Sequence, residues 1–143
     1  MFHKILVGYD GSNSAKAALQ QAAIMAKEYG AEIDALWVRE PLPRHSDLPG
    51  EFEGEQEAAD EYFKERCLEV VNVAQEHGIA IRCEMRAGHP AKTIVTRADE
   101  AGYDLIVVGH SDHSSLWGRL LGDTADRISD QARCSVLIVK QHT

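Results

Sequence analysis

Five short apolar runs alternate with four stretches of helical periodicity along this chain of 143 residues, and few folds accommodate that order. Residues 4–9 (Lys-Ile-Leu-Val-Gly-Tyr) have the unbroken apolar character of a strand covered on both faces, closed by Asp10-Gly11-Ser12. Ser12 or Asn13 caps a helix in which Ala15, Ala18, Leu19, Ala22, Met25, Ala26 and Tyr29 recur at three and four, and Gly30 stops it. Residues 32–38 read as the second strand. Pro41, Pro43, Pro49 and Gly50 then exclude regular structure, which makes residues 39–53 the one long loop. From about residue 54 to His77 an acidic start gives way to Tyr62, Phe63, Cys67, Leu68, Val70, Val71 and Ala74 at helical spacing. Residues 79–86 alternate in the manner of a strand with one more exposed face. Pro90 opens a third helix that runs to about Ala101. Residues 105–108 are a fully apolar strand, residues 109–121 a polar loop, residues 123–131 a short helix and residues 135–139 the last strand.

Strict alternation of strand and helix predicts an α/β fold: a single doubly wound domain over residues 1–143, with a five-stranded parallel sheet in order 3-2-1-4-5 and helices on both faces. Such sheets bind ligands beyond the carboxyl ends of their strands, where the winding reverses. In this order the crevice lies between strands one and four. The loops that open there start at Asp10 and Gly109, the two places richest in Gly, Ser, Asp and His.

A formal charge of −8 and a pI near 5.3 argue against a nucleic-acid partner, because that affinity depends on Lys and Arg displacing counterions from phosphates. No run approaches the ~20 apolar residues that cross a bilayer, so no membrane insertion is expected. The first residues lead straight into a strand with no signal-peptide pattern, and Cys67, Cys83 and Cys134 are widely spaced. A cytoplasmic location with idle thiols is the expectation.

The second loop reads Gly109-His110-Ser111-Asp112-His113-Ser114-Ser115-Leu116-Trp117-Gly118-Arg119-Leu120-Leu121-Gly122-Asp123-Thr124. A strand empties into a polar loop that returns to a helix start, where backbone N–H groups make a natural anion site. With this loop the chain resembles the universal stress protein family over essentially its whole length. The features that carry the resemblance are the opening Ile-Leu-Val-Gly-Tyr-Asp-Gly-Ser, Gly88-His89-Pro90, the stretch from Asp104 to Ser111, Leu120-Leu121-Gly122 and the closing Arg-Cys-Ser-Val-Leu-Ile-Val. The resemblance implies a cytoplasmic dimer and, for the ATP-binding branch, the pattern Gly-x2-Gly-x9-Gly-(Ser/Thr). It places Asp10 at the ribose or adenine side of a nucleotide, Val38 at the adenine, and Gly109 and Gly122 near the sugar and phosphates. The candidate binding residues are therefore Asp10, Gly11, Ser12, Val38, Gly109, His110, Ser111, Asp112, His113, Gly122, Asp123 and Thr124.

Spacing is retained, but the second glycine of the pattern is Asp112 and the terminal Ser/Thr is Asp123. A carboxylate among those amides repels a polyphosphate by about 4 kcal/mol at ~4 Å and an effective dielectric of ~20, before screening. It also competes for the same N–H donors. Two readings follow. The first is a non-catalytic, nucleotide-responsive module that takes ATP or AMP, with Mg2+ or Mn2+ able to turn either aspartate into a ligand. The second is a dimeric adaptor of the same fold whose site is blocked by Asp112 and Asp123, Asp123 also being a welcome first-turn acid. No nucleophile elbow, Walker motif or zinc-protease motif is present, so no catalytic residues are assigned. Trp37 reads as packing, and the acids from Glu51 to Asp60 as a solvated helix entry. The last strand would be an apolar edge in a monomer, which predicts a homodimer through Val136, Leu137, Ile138 and Val139; a further protein partner is expected, of unknown identity.

Overall fold

β1 (Lys4–Gly8) runs through the middle of a five-stranded parallel sheet in the computed structural model, which describes residues 1–40, 51–110 and 124–141. The other strands are β2 (Glu32–Arg39), β3 (Arg82–Ala87), β4 (Leu105–Gly109) and β5 (Ser135–Val139), in spatial order β3-β2-β1-β4-β5. Between them come α1 (Asn13–Tyr29), α2 (Glu51–His77), α3 (Pro90–Ala101) and α4 (Thr124–Gln131). β1 pairs with β4 in the register Ile5 to Leu105, Leu6 to Ile106 and Val7 to Val107.

Strand side chains alternate between faces, so one strand feeds two cores. Ile5, Val7, Ile33, Ala35, Leu105 and Val107 pack with Ala18, Leu19 and Ala22 of α1 and with Val70 and Ala74 of α2. On the opposite face Leu6, Leu36, Ile106 and Val108 pack with Ile94 and Ala98 of α3 and with Ala125 and Ile128 of α4. Helices thus cover both faces, as the strand-helix alternation requires. The alanine face of α1 lets that helix lie close over the sheet centre, and the helix ends on Gly30 in the left-handed region at φ 63°.

Two boundaries differ by more than one residue from the sequence expectation. α2 begins at Glu51 rather than near residue 54, its first turns being rich in acids that no apolar periodicity announces. β3 begins at Arg82 rather than Ile79. Ile79 still belongs to the end of α2, its N–H donating to the Ala74 carbonyl at 3.0 Å, and pairing with β2 starts only where Arg82 meets Asp34.

Asp34 is the buried charged residue of the sheet, only 6% exposed. It accepts Tyr103 Oη at 2.5 Å, Arg82 Nε at 3.0 Å and Arg82 Nη2 at 3.2 Å, which joins β2, β3 and the turn after α3. Burial alone would raise its pKa, but the hydrogen bonds from Arg82 and Tyr103 hold it below the usual carboxylate value. A depressed folded-state pKa contributes stability above the unfolded value near ~4 and loses it as pH falls through the folded value. Asp34→Ala should therefore lower stability at pH 7 by about 2 kcal/mol from the buried Tyr103 hydrogen bond alone. Thermal melts across pH 7 to 3 should show the gap to the parent protein closing below ~4; a gap that stays constant with pH would show that the carboxylate charge is not the source.

Candidate functional site

β1 and β4 both end in glycine, and both glycines face close packing. A Cβ on Gly109 would lie 2.4 Å from the carbonyl carbon and oxygen of Ser14, so the first turn of α1 rests directly on the end of β4. A Cβ on Gly8 would lie 3.0 Å from both Ile94 Cδ1 and Val108 Cγ1. Beyond these ends opens a cleft of about 600 Å3, within the range of small-molecule sites. It is lined by Gly8, Leu36, Val108 and Gly109 at the strand ends, by Asp10 and Ser12 to Ala15 at the head of α1, and by Thr124 and Ala125 at the head of α4. Trp37 and Val38 border it from β2, Glu40 from the residue after β2, Pro90 and Ile94 from α3, and Gln141 from the residues after β5.

The turn from β1 into α1 is held by its own side chains. Asp10 Oδ1 accepts the Ser12 N–H at 2.9 Å, and Ser12 Oγ accepts the Ala15 N–H at 3.2 Å, so Ser12 is the cap. Gly11 supplies a φ of 83° that a side chain would resist. Behind the turn lies α2: Tyr62 Oη donates to the Asp10 carbonyl, and Tyr9 Oη donates to Glu69 Oε1 at 2.7 Å. Burial, then the bond to Glu69, pushes the Tyr9 phenol above its ordinary pKa, which keeps it a donor. Trp37 packs on Tyr62 at 4.8 Å and on Phe63 at 6.4 Å between ring centroids while also bordering the cleft.

The structure thus brings Asp10, Ser12, Val38, Gly109 and Thr124 to one cleft. Gly11 and His110 adjoin it in the chain, and the His110 N–H continues the sheet by donating to the Val139 carbonyl at 2.8 Å. Ser111, Asp112, His113, Gly122 and Asp123 lie outside the described residues. Asn13, Ser14, Leu36, Glu40, Ile94 and Gln141 also line the cleft and were not singled out from the sequence. Leu36 and Ile94 carry only a core signal, and Glu40 and Gln141 have the composition of any polar rim. The cysteines are half-buried, and burial, with Cys67 alongside, raises the Cys83 thiol above its usual pKa, which disfavours the reactive thiolate. Among the described residues no cluster of His, Cys, Asp or Glu could hold a metal by itself, and no helix is long and apolar enough to cross a membrane.

The profile described as "Universal stress protein family" matches residues 1–140. Universal stress protein MJ0531 of Methanocaldococcus jannaschii is 37% identical over 145 residues, covering 99% of this chain and 84% of its own. Among solved structures, the universal stress protein UspA from Lactobacillus plantarum superposes with a TM-score of 0.81 at 26% identity, covering 96% of this chain and 97% of its own. A universal stress protein in complex with cAMP superposes with a TM-score of 0.74, also at 26% identity and covering 96% and 97%.

Gly109→Ala should destabilise the fold by about 1–3 kcal/mol, the usual cost of overpacking, because the obstacle is the α1 backbone rather than a movable side chain. Chemical denaturation measures it. An unchanged midpoint would mean that α1 can retreat from β4 without loss.

Proposed function

The chain belongs to the universal stress protein family, and from that footing we propose that it is a cytoplasmic, nucleotide-responsive binding and signalling module whose cleft takes an adenine nucleotide of the ATP or AMP type. The observation that carries this reading is that two helix starts line one cleft with the end of β4: Ser12 to Ala15 at the head of α1, Thr124 at the head of α4, and Gly109. The dipole at each helix start favours a phosphate chain there. Asp10, exposed and with only one oxygen committed to the Ser12 N–H, offers an acceptor to ribose hydroxyls. Backbone groups of Val38 and the flank of Trp37 provide an adenine wall. The cAMP-bound relative supports an adenine nucleotide as the class of ligand.

Ser111, Asp112, His113, Gly122 and Asp123 complete the proposed phosphate side, with Mg2+ or Mn2+ entering with the nucleotide to neutralise the two carboxylates. Gly11 and His110 belong to the turns that shape it. The protein acts by association rather than catalysis in this reading, as a homodimer that pairs through Val136 to Val139 of the edge strand β5. Asp112 and Asp123 also support a second reading, a dimeric adaptor whose site they fill themselves.

Calorimetric titration with ATP and AMP, with and without Mg2+ or Mn2+, separates the two. The module reading predicts metal-dependent binding by the wild type, and metal-independent binding by Asp112→Gly/Asp123→Ser. Binding by the double variant alone would establish the adaptor reading, and binding by neither would remove the cleft as a nucleotide site. Sedimentation in the same buffers reads the dimer, which a monomer at micromolar concentration would rule out.

A further inference from the structure

Three residues on one face of α2, at spacings of four and three, meet three consecutive residues of the β1–α1 turn. Glu69 accepts from the Tyr9 hydroxyl at 2.7 Å, Tyr62 donates to the Asp10 carbonyl, and Arg66 lies over Gly11, where an added Cβ would come within 2.7 Å of Arg66 Cδ. The three also bind one another. Arg66 Nε forms an ion pair with Glu69 Oε1 at 2.9 Å without hydrogen-bond geometry, and the Arg66 guanidinium lies over the Tyr62 ring at 4.2 Å. The Arg66 side chain is only 14% exposed, whereas Tyr62 is 37% exposed. The Tyr62 ring also packs on Trp37, which borders the cleft at the end of β2. A single side chain thus touches both strand ends beside the cleft without itself lining it.

We infer that Tyr62 and Arg66 are positioning residues of the cleft: they clamp the Tyr9-Asp10-Gly11 backbone and Trp37 from behind, so that occupation of the cleft and the seating of α2 are energetically linked. The inference rests on the proposed nucleotide site for its functional meaning, but the clamp itself is a property of the protein without ligand. A ligand that bonds the Asp10 carboxylate or the amides from Ser12 onward fixes the same turn that Tyr62 holds by its carbonyl. By linkage, whatever displaces α2 must weaken the ligand by the factor with which the ligand resists that displacement. Leu68 and Val71 stand 65% and 44% exposed further along α2, so the helix that grips the turn also has apolar residues facing solvent. Cleft occupancy would therefore be felt on the outer surface through α2.

Tyr62→Phe removes the single hydroxyl while keeping the ring against Trp37 and Arg66. Arg66→Lys keeps a cation but loses the flat stack, and Leu68→Ala on the exposed side of the same helix is the control. Two measurements are made on each full-length variant: NMR amide shifts and exchange of Gly11, Ser12 and Ala15 without ligand, and the affinity for ATP with Mg2+ by calorimetry. Tyr62→Phe should perturb those three amides, weaken ATP about fivefold, the loss of one ordinary hydrogen bond, and leave the melting temperature close to that of Leu68→Ala. Arg66→Lys should fall between Tyr62→Phe and the wild type. Unperturbed amides in Tyr62→Phe would overturn the inference whatever the affinities. Perturbed amides with unchanged ATP affinity would overturn the linkage. A wild type that binds no ATP would refute the proposed ligand class, and the amide measurement would then decide the clamp alone.

Discussion

The pairing of β1 with β4 governs the rest of the molecule. The chain winds outward from β1 to β2 and β3, returns to the other side of β1 as β4, and continues to β5. Right-handed crossovers then force α1 and α2 onto one face and α3 and α4 onto the other, which is how the two cores divide. At the carboxyl ends of β1 and β4 the crossovers diverge. Gly109 leaves no room for a side chain because the Ser14 backbone lies against it, and Gly8 is tightly packed by the Ile94 and Val108 side chains. The cleft is thus a consequence of strand order, and its depth is a consequence of two glycines.

The two ends of the sheet are chemically unlike. At the amino end the acids are consumed by the fold: Asp34 by Tyr103 and Arg82, and Asp104 by the His3 and Lys4 N–H groups at 2.8 and 2.9 Å. Those bonds to backbone hold the Asp104 pKa below its usual value against the opposing effect of burial. At the carboxyl end Asp10 remains exposed between two helix starts whose dipoles favour a negative group. One end of the domain is closed by charge pairing within the chain, while the other presents its polarity to a cavity of ligand size. α2 ties the second end to the outer surface through Tyr62, Arg66 and Glu69.

Much of this was legible in the sequence because it is local. The apolar runs of β1 and β4, the caps Ser12 and Gly30, Pro90 at the head of α3 and the polarity of the loops after Asp10 and Gly109 each declare themselves within a few residues. In the strand order 3-2-1-4-5 the loops that start at Asp10 and Gly109 meet at one place, and the resemblance to the family added Val38. What was not legible depends on partners far along the chain. Asp34 looked like one polar residue inside a strand, since its partners are 48 and 69 residues away. Tyr62 and Arg66 carried ordinary helical spacing, and nothing near them points to a turn 52 residues earlier. Ile79 and Ile81 alternated as a strand would, because residues that cover a helix end and residues that pair in a sheet bury the same way. The reason for glycine at Gly109 was also only partly visible: its place in a ligand motif could be recognised, but the α1 backbone pressed against it could not.

The most direct test of the cleft as the working site is residue-resolved NMR during titration with Mg2+ and ATP. Binding between the two helix starts should shift the amides of Gly11, Ser12, Ser14, Val38, Gly109 and Ala125 together, along one saturating curve, while those of Asp34, Tyr103 and Asp104 at the opposite end stay in place. Saturable shifts centred on the amino end of the sheet, or on the outer face of α2 with the cleft amides unmoved, would contradict it.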